Sequence, residues 1–322
     1  MVNPIVERLL RSSETTVRYK VYVNVLELDP ETPQAQELRQ EIRSSSVIRV
    51  LLSEQGADGK IPHHPYSKWL GAHWVLASLA DLGYPPGDES LKPLLEQSYE
   101  WLLSPFHLKS IPTLGGRTRR CASQEDNLLY YGCALGFADD RSHELAERLV
   151  RWQWPDGGWN CDKRPEAVNS SYMESLVPMR GLAIYARLAG DPDATRAVER
   201  VAEIFLKREL FKRQSDGSII HDDFIKLHYP PYWHYDILFG LKVMAEAGFI
   251  GDPRCQPALD LLESKRLPDG GFPAEGKYYH PAEKLTSGRS RVNWGGTSKQ
   301  TMNEYVTVDA LSVLKSAGRM PL

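Results

Sequence analysis

Apolar residues recur along the chain at helical spacing, in stretches that are alternately amphipathic and apolar on most faces. Many of these stretches are separated by an Asp-Gly turn that is followed by an apolar side chain. Asp favours such a turn because its carboxylate hydrogen-bonds nearby backbone, and Gly tolerates positive φ. The pattern therefore predicts helices joined in pairs by tight turns. The turns are Asp58-Gly59-Lys60-Ile61, Asp156-Gly157-Gly158-Trp159, Asp216-Gly217-Ser218-Ile219 and Asp269-Gly270-Gly271-Phe272, with a weaker fifth at Leu114-Gly115-Gly116-Arg117.

A helix that is apolar on most faces follows each turn and its loop, which predicts that these helices are buried between layers. Four of them end at a glycine, as a left-handed helix cap prefers. We expect an all-α fold, an α/α toroid of about five helix-hairpin repeats around a central cavity. An open α-solenoid is the alternative. The predicted inner helices are Trp69–Leu82, Glu125–Phe137, Glu174–Ala189, His234–Ala247 and Asn303–Ala317.

The chain of 322 residues is long for one domain. Repeat architectures escape this limit because each unit packs only on its neighbours. We predict a single toroid domain over 1–322, in which 1–46 is an N-terminal helical extension packed on the outside of the ring.

Composition narrows the possible partners. Charged residues make up 25% of the chain and the net charge is −3, so no overall basic field recruits nucleic acid. No apolar run is long enough for a transmembrane helix, and no secretory signal precedes the helices, so we expect a cytoplasmic protein. The four cysteines lack CxxC spacing, which favours free thiols. The oligomeric state is left open.

One turn carries a family resemblance. Gln153-Trp154-Pro155-Asp156-Gly157-Gly158-Trp159 resembles the Gln/Trp repeat of squalene-hopene cyclases and other triterpene cyclases. Gln55-Gly56-Ala57-Asp58-Gly59 keeps the Gln-to-Asp-Gly spacing, and degraded copies extend over residues 48–318. The resemblance implies the toroid superfamily of terpene cyclases and protein prenyltransferase β-subunits. The repeat itself is structural, because its Gln amide satisfies free groups at a helix end while the aromatic ring covers the turn.

The resemblance also implies an activity. It suggests a terpene-cyclase-like or prenyltransferase-like enzyme, an isomerase or lyase, that binds an isoprenoid or similar apolar small molecule in the cavity. The Asp-x-Asp-Asp acid motif of the protonating cyclases is absent. Tyr232-Trp233-His234-Tyr235-Asp236 resembles the stretch of prenyltransferase β-subunits that carries a zinc-binding His, which places His234 at that position.

Polar and aromatic residues gather where the predicted inner helices begin. Loops at these positions face the central pocket of a toroid, so carboxylates there would converge. Convergence in a water-poor cavity raises a carboxyl pKa and permits general-acid catalysis. Capping of the helix ends is the alternative role for each of them. Our catalytic candidates are Glu174, His234, Asp236 and Glu304, and our substrate-binding candidates are Trp69, His73, Trp74, Glu125, Tyr172, His228, Tyr229, Trp233 and Asp309.

Cofactor and function have alternatives. The cofactor is left open. We expect either no cofactor or a divalent metal such as Zn, which Glu174, His234 and Asp236 would hold. The second functional hypothesis is a carbohydrate-active toroid, a glycosidase or polysaccharide lyase. The third is a non-catalytic ring that binds a ligand at its mouth.

Overall fold

The computed structural model describes residues 3–320, and within them helices dominate. Strands are limited to two short pairs, β1–β2 (antiparallel) and β3–β4 (parallel). The all-α assignment is confirmed. The helices are α1 Pro4–Leu10, α2 Thr15–Lys20, α3 Pro33–Arg43, α4 Ser46–Leu51, α5 Ala72–Leu82, α6 Lys92–Leu102, α7 Pro105–Lys109, α8 Ser123–Ala134, α9 Asp140–Trp152, α10 Met173–Ala189, α11 Pro192–Leu206, α12 Ile237–Glu246, α13 Gln256–Ser264 and α14 Glu304–Ser316. The strands are β1 Thr113–Leu114, β2 Arg117–Thr118, β3 His280–Pro281 and β4 Arg289–Ser290.

Inner and outer helices alternate along the chain, as the α/α toroid requires. Helices α5, α8, α10, α12 and α14 pack side by side as an inner layer, and each predicted inner helix matches one of them. The outer helix α9 is strongly amphipathic and begins at a capping box formed by Asp139 and Ser142. The inner helices α5 and α10 end at Gly83 and Gly190 in the left-handed conformation, as predicted.

The N-terminal segment closes the ring between α14 and α5. Helix α2 packs on α14, and a π-helical turn, Val21–Val25, continues it. The Lys20 side chain at the end of α2 reaches Asp309 in α14 at 3.0 Å and Asp81 in α5 at 3.5 Å. This segment therefore contributes a side chain to the inner layer, whereas we had expected from the sequence that it packs only on the outside of the ring. The extent of the domain, 1–322, stays a prediction.

The glutamines of the turns tie the hairpins to their neighbours. The Gln153 amide donates to the carbonyl oxygens of Gly157 and Ala197, each at 2.8 Å. The Gln55 amide donates to Gly59 at 2.8 Å and to Ser90 at 3.3 Å. Trp159 is fully buried, and its indole donates to Leu149 at 3.0 Å. These contacts hold each turn against an adjacent helix.

The inner helices all begin at one end of the ring, which we call the mouth. Side chains at their starts meet across it: the Glu174 carboxylate at the start of α10 accepts from the Ser123 amide of α8 at 3.1 Å. Trp69 before α5 stacks on Tyr232 before α12 at 3.8 Å. A long loop, residues 275–303, crosses the mouth, and the Trp69 indole donates to its Tyr278 carbonyl at 2.9 Å.

Candidate functional site

The axis of the ring is filled by a network of ion pairs, which we call the central network. Asp81 accepts from Lys242 at 2.8 Å and from Arg180 at 3.0 Å, and Asp309 accepts from Lys242 at 2.8 Å and from Lys20 at 3.0 Å. Burial alone would raise the pKa of Asp81, but these three cations hold it well below its ordinary value. Each of these charges has an oppositely charged partner.

A small cavity lies beside the central network. It encloses about 20 Å³ and is lined by Asp81, Asn127, Arg180 and Tyr229 together with apolar groups. A site for one water needs roughly 10–15 Å³, whereas small-molecule pockets occupy roughly 300–1,000 Å³. This cavity therefore has room for water and no room for an isoprenoid.

The mouth holds a His–Asp pair that the two prolines of its loop position. His228 Nδ1 lies 2.6 Å from the Asp236 carboxylate, and both side chains are about 1% exposed. Asp236 caps α12 by accepting from the Phe239 amide at 2.7 Å, and it also accepts from the His228 amide at 2.8 Å. Burial alone would lower the pKa of His228, but the Asp236 carboxylate and nearby backbone acceptors raise it above its ordinary value.

A second imidazole lies next to this pair. His234 is stacked between Trp233, at 3.9 Å between ring centroids, and Tyr278, at 3.5 Å. Its ring centroid is 6.2 Å from that of His228. Burial, followed by the charges of His228 and Lys68, lowers the pKa of His234 to about 3. His234 is therefore neutral where His228 is protonated.

Within residues 3–320, the buried His228 Nε2 and His234 Nδ1 make no hydrogen bond of good geometry to protein, although the Lys226 and Pro231 backbone acceptors lie near the His228 ring. Buried polar atoms are usually hydrogen-bonded, so two such nitrogens next to each other require an explanation. Either nitrogen can exchange a proton with a bound molecule.

The other predicted carboxylates have different surroundings. Glu125 is fully buried and accepts twice from Arg120 Nε, at 2.7 and 2.8 Å. Glu174 is half-buried at the mouth beside Cys121 and Cys161. Burial raises the pKa of both carboxyls. Glu304 accepts from the Ser12 hydroxyl at 2.6 Å, at the seam with the N-terminal segment.

The predicted metal set does not come together. Among residues 3–320, one group of three side chains has ligand atoms close enough for a single ion, and it joins Glu174 to Cys121 and Cys161. Asp236 instead pairs with His228, and His234 is held by its aromatic neighbours. The set Glu174, His234 and Asp236 therefore requires correction, because its members serve three different local structures.

The aromatic candidates are largely structural. Trp74 is fully buried and its indole donates to the Tyr66 carbonyl at 3.3 Å. His73 is buried against the Tyr131 hydroxyl at 3.1 Å, and burial lowers its pKa to about 3. Tyr229 donates to Asp81 at 3.0 Å. Tyr172 is half-buried and packs edge-on against Phe205 and Tyr235.

Several partners at these sites were not anticipated from the sequence. Tyr278 and Lys68 lie far from α12 in sequence, and no local motif marks them. Lys20, Arg180 and Lys242 complete the central network from positions that look like ordinary helix charges. Cys121 and Cys161 did carry a usable signal, since each lies in a loop that leads into one of two adjacent inner helices.

Comparison with known proteins does not assign a family. No protein-family profile and no curated protein sequence matches the chain. A solved structure described as unsaturated glucuronyl hydrolase, responsible for the degradation of glycosaminoglycan, from Bacillus sp. GL1 has a TM-score of 0.41 and 15% identity. It covers 93% of this chain and 84% of its own. A second, titled as a UGL variant with dGlcA-Glc-Rha-Glc, has a TM-score of 0.40 and 16% identity over the same shares.

The terpene-cyclase and prenyltransferase interpretation is wrong. No protein-family profile of a cyclase or a prenyltransferase matches the chain. The interior gives the physical reason: charges occupy the axis where an isoprenoid would need a large apolar cavity. The Gln/Trp repeat misled us about activity because its contacts stabilise turns and touch no pocket. Within residues 3–320 no helix is long and apolar enough to cross a membrane.

Proposed function

We propose that the protein is a carbohydrate-active enzyme that cleaves an acidic polysaccharide by acid–base elimination at the mouth of the ring. The observation that carries the proposal is the pair of adjacent imidazoles, His228 and His234, with pKa values displaced in opposite directions. Neighbouring titratable groups whose pKa values are pushed apart are suited to act as an acid and a base at one pH.

The proposed step uses one proton transfer at each imidazole. His234 Nδ1 removes the proton next to the carboxylate of a uronate ring. The electron pair forms a ring double bond as the bond to the glycosidic oxygen breaks, and His228 Nε2 gives its proton to that oxygen. Asp236 contacts Nδ1 of His228 and so holds the ring with Nε2 directed away from the Asp236 carboxylate. Each imidazole can contribute about 10²–10⁴-fold to the rate.

The surroundings suit an acidic sugar. Trp233 is half-buried, so part of its indole is free to stack on a sugar ring. Lys68 Nζ lies 4.8 Å from the centre of that indole, where it can pair with a uronate carboxylate. A carboxylate so neutralised makes the adjacent carbon–hydrogen bond easier to deprotonate. An apolar substrate would use neither group.

Tyr278 controls access to this site in the proposal. Its ring covers one face of His234 and contacts His228 edge-on at 4.8 Å. A substrate that reaches both imidazoles takes the place of this ring, so the loop 275–303 moves when the sugar binds. Loops that cover active sites commonly have this role.

The test is an assay on a panel of uronate-containing and neutral polysaccharides. Elimination creates a conjugated double bond that absorbs in the ultraviolet together with a new reducing end, whereas hydrolysis creates a new reducing end without that absorbance. We expect the absorbance to rise with uronate-containing polysaccharides and not with neutral ones. The variants His228→Gln and His234→Gln should each reduce kcat by about 10²–10⁴-fold.

His143→Gln is the matched control, because this half-exposed histidine lies on the outer helix α9 away from the mouth. It should keep full activity. Cleavage that survives in both mouth variants, or reducing ends without new absorbance, would refute the eliminative mechanism.

A further inference from the structure

Two cysteines and a glutamate meet at the mouth, where α8 and α10 begin. The two histidines of the proposed active site lie at the start of the next inner helix, α12. One ligand atom from each of Cys121, Cys161 and Glu174 lies within 4.8 Å of the other two. Ligand atoms arranged tetrahedrally at 2.0–2.3 Å from one zinc ion lie about 3.3–3.8 Å apart, so these atoms would have to move by about 1 Å or less to share an ion. All three side chains are partly exposed, which leaves a path for an ion.

The backbone holds the two cysteines together. The residues that precede them are linked, because the Arg120 amide donates to the Asn160 carbonyl at 3.1 Å. Glu174 is held against the same loop by the Ser123 amide, two residues after Cys121, at 3.1 Å. Three separate segments are therefore fixed around one point before any ligand arrives.

Within residues 3–320, Glu174 forms no salt bridge with a cation. Arg120 is the neighbouring cation, but it is engaged by Glu125 at 2.7 and 2.8 Å and by His107 at 2.6 Å. A half-buried carboxylate beside two sulfur atoms gains most from a positive ion placed among them. Thiolates with one carboxylate suit a borderline-soft ion such as Zn²⁺ better than Mg²⁺ or Ca²⁺.

We propose that Cys121, Cys161 and Glu174 form a binding site for a zinc-type divalent metal ion. Three protein ligands leave the fourth tetrahedral position open, which is typical of zinc sites that bind an exchangeable water or substrate group. The site is separate from the His228–Asp236 pair, so this proposal does not rest on the proposed function.

The test measures metal binding in the full chain. Protein purified under reducing conditions is stripped with chelator and titrated with Zn²⁺, and bound metal is counted by mass spectrometry. We expect one ion per chain and a Tm that rises with Zn²⁺. Titration with Co²⁺ should give the intense absorption band of sulfur-to-cobalt charge transfer.

Variants separate ligation from folding. Cys121→Ser and Cys161→Ser should each weaken binding by at least about 100-fold and reduce the Co²⁺ band. Glu174→Gln, which preserves size, should weaken binding and leave the band. Cys133→Ser and Cys255→Ser change cysteines elsewhere in the ring and should bind metal normally.

Three results would overturn the proposal. They are a wild-type chain without the Co²⁺ band, binding unchanged in both Cys121→Ser and Cys161→Ser, and a Cys121–Cys161 disulfide that persists in reductant and excludes metal. A variant that fails to fold is replaced by Glu174→Gln, whose loss of affinity at an unchanged metal-free Tm tests the same site.

Discussion

The central network and the mouth both concentrate buried polar groups, yet they differ in how completely those groups are paired. In the network, Asp81 pairs with Lys20, Lys242 and Arg180, and Asp309 pairs with Lys20 and Lys242, so every charge has a partner. At the mouth, within residues 3–320, the buried His228 Nε2 and His234 Nδ1 make no hydrogen bond of good geometry to protein. Complete pairing indicates a structural role, and incomplete pairing indicates a place where another molecule completes the contacts.

The variant Lys242→Met is the strongest test of the structural role of the central network. The change keeps the length of the side chain and leaves two buried carboxylates short of a cation. We expect the free energy of unfolding to fall by about 3–5 kcal/mol, as when one partner of a buried ion pair is removed. Urea denaturation measures the loss.

The matched control is Lys92→Met, which removes a surface lysine that pairs with Glu89 and is 54% exposed. Such pairs contribute about 0–1 kcal/mol. Equal losses in the two variants would mean that the central network does not stabilise the ring more than an ordinary surface pair does.

The functional half is tested by Asp236→Asn. Asparagine can still cap α12, so the helix start is preserved. It removes the charge that keeps His228 protonated, and burial then lowers the pKa of that imidazole. We expect kcat on the uronate substrate to fall about 10²-fold.

The pH dependence of kcat should show the same role of Asp236. The wild-type enzyme needs His234 neutral and His228 protonated, so activity should rise above pH 3 and fall only above the ordinary histidine pKa of 6.5. The titratable groups around His228 are Asp236, His234, Tyr278 and Asp223, and Lys68 acts on the adjacent His234. In Asp236→Asn the alkaline limb should move to lower pH. An unmoved limb would assign it to another group.

The smallest expected effect concerns the turns. Gln153→Ala removes two hydrogen bonds of 2.8 Å, whereas Gln55→Ala removes one of 2.8 Å and a longer one. At about 0.5–1.5 kcal/mol for each bond, Gln153→Ala should cost about 1–3 kcal/mol and Gln55→Ala less. Thermal denaturation ranks them. A loss of activity at unchanged stability in Gln153→Ala would show that the repeat does more than support a turn.

The fold was largely predictable from the sequence because its signals are local. Asp-Gly turns, terminal glycines such as Gly83 and Gly190, and the burial pattern of helices such as α12 each act within a few residues. The contribution of α2 to the inner layer was not predictable in this way. It depends on Lys20 reaching Asp309, 289 positions further along the chain.

The site was predictable only in part, for the same reason. His228, His234 and Asp236 lie within nine residues and were all named as candidates, but the pairing of His228 with Asp236 depends on the path of the loop that joins them. Tyr278 approaches from a loop more than forty residues away. The sequence suggested Glu304 as an acid, and its contact with the Ser12 hydroxyl, 292 positions away in the chain, could not be read from the local pattern.

The most direct test of the central claim is an NMR titration of the histidine ring resonances, assigned with His228→Gln and His234→Gln. The account predicts that His228 loses its proton above pH 6.5, while His234 stays neutral down to about pH 3. Two imidazoles that titrate together near pH 6.5 would contradict it, because neither would then be set apart as the acid or the base.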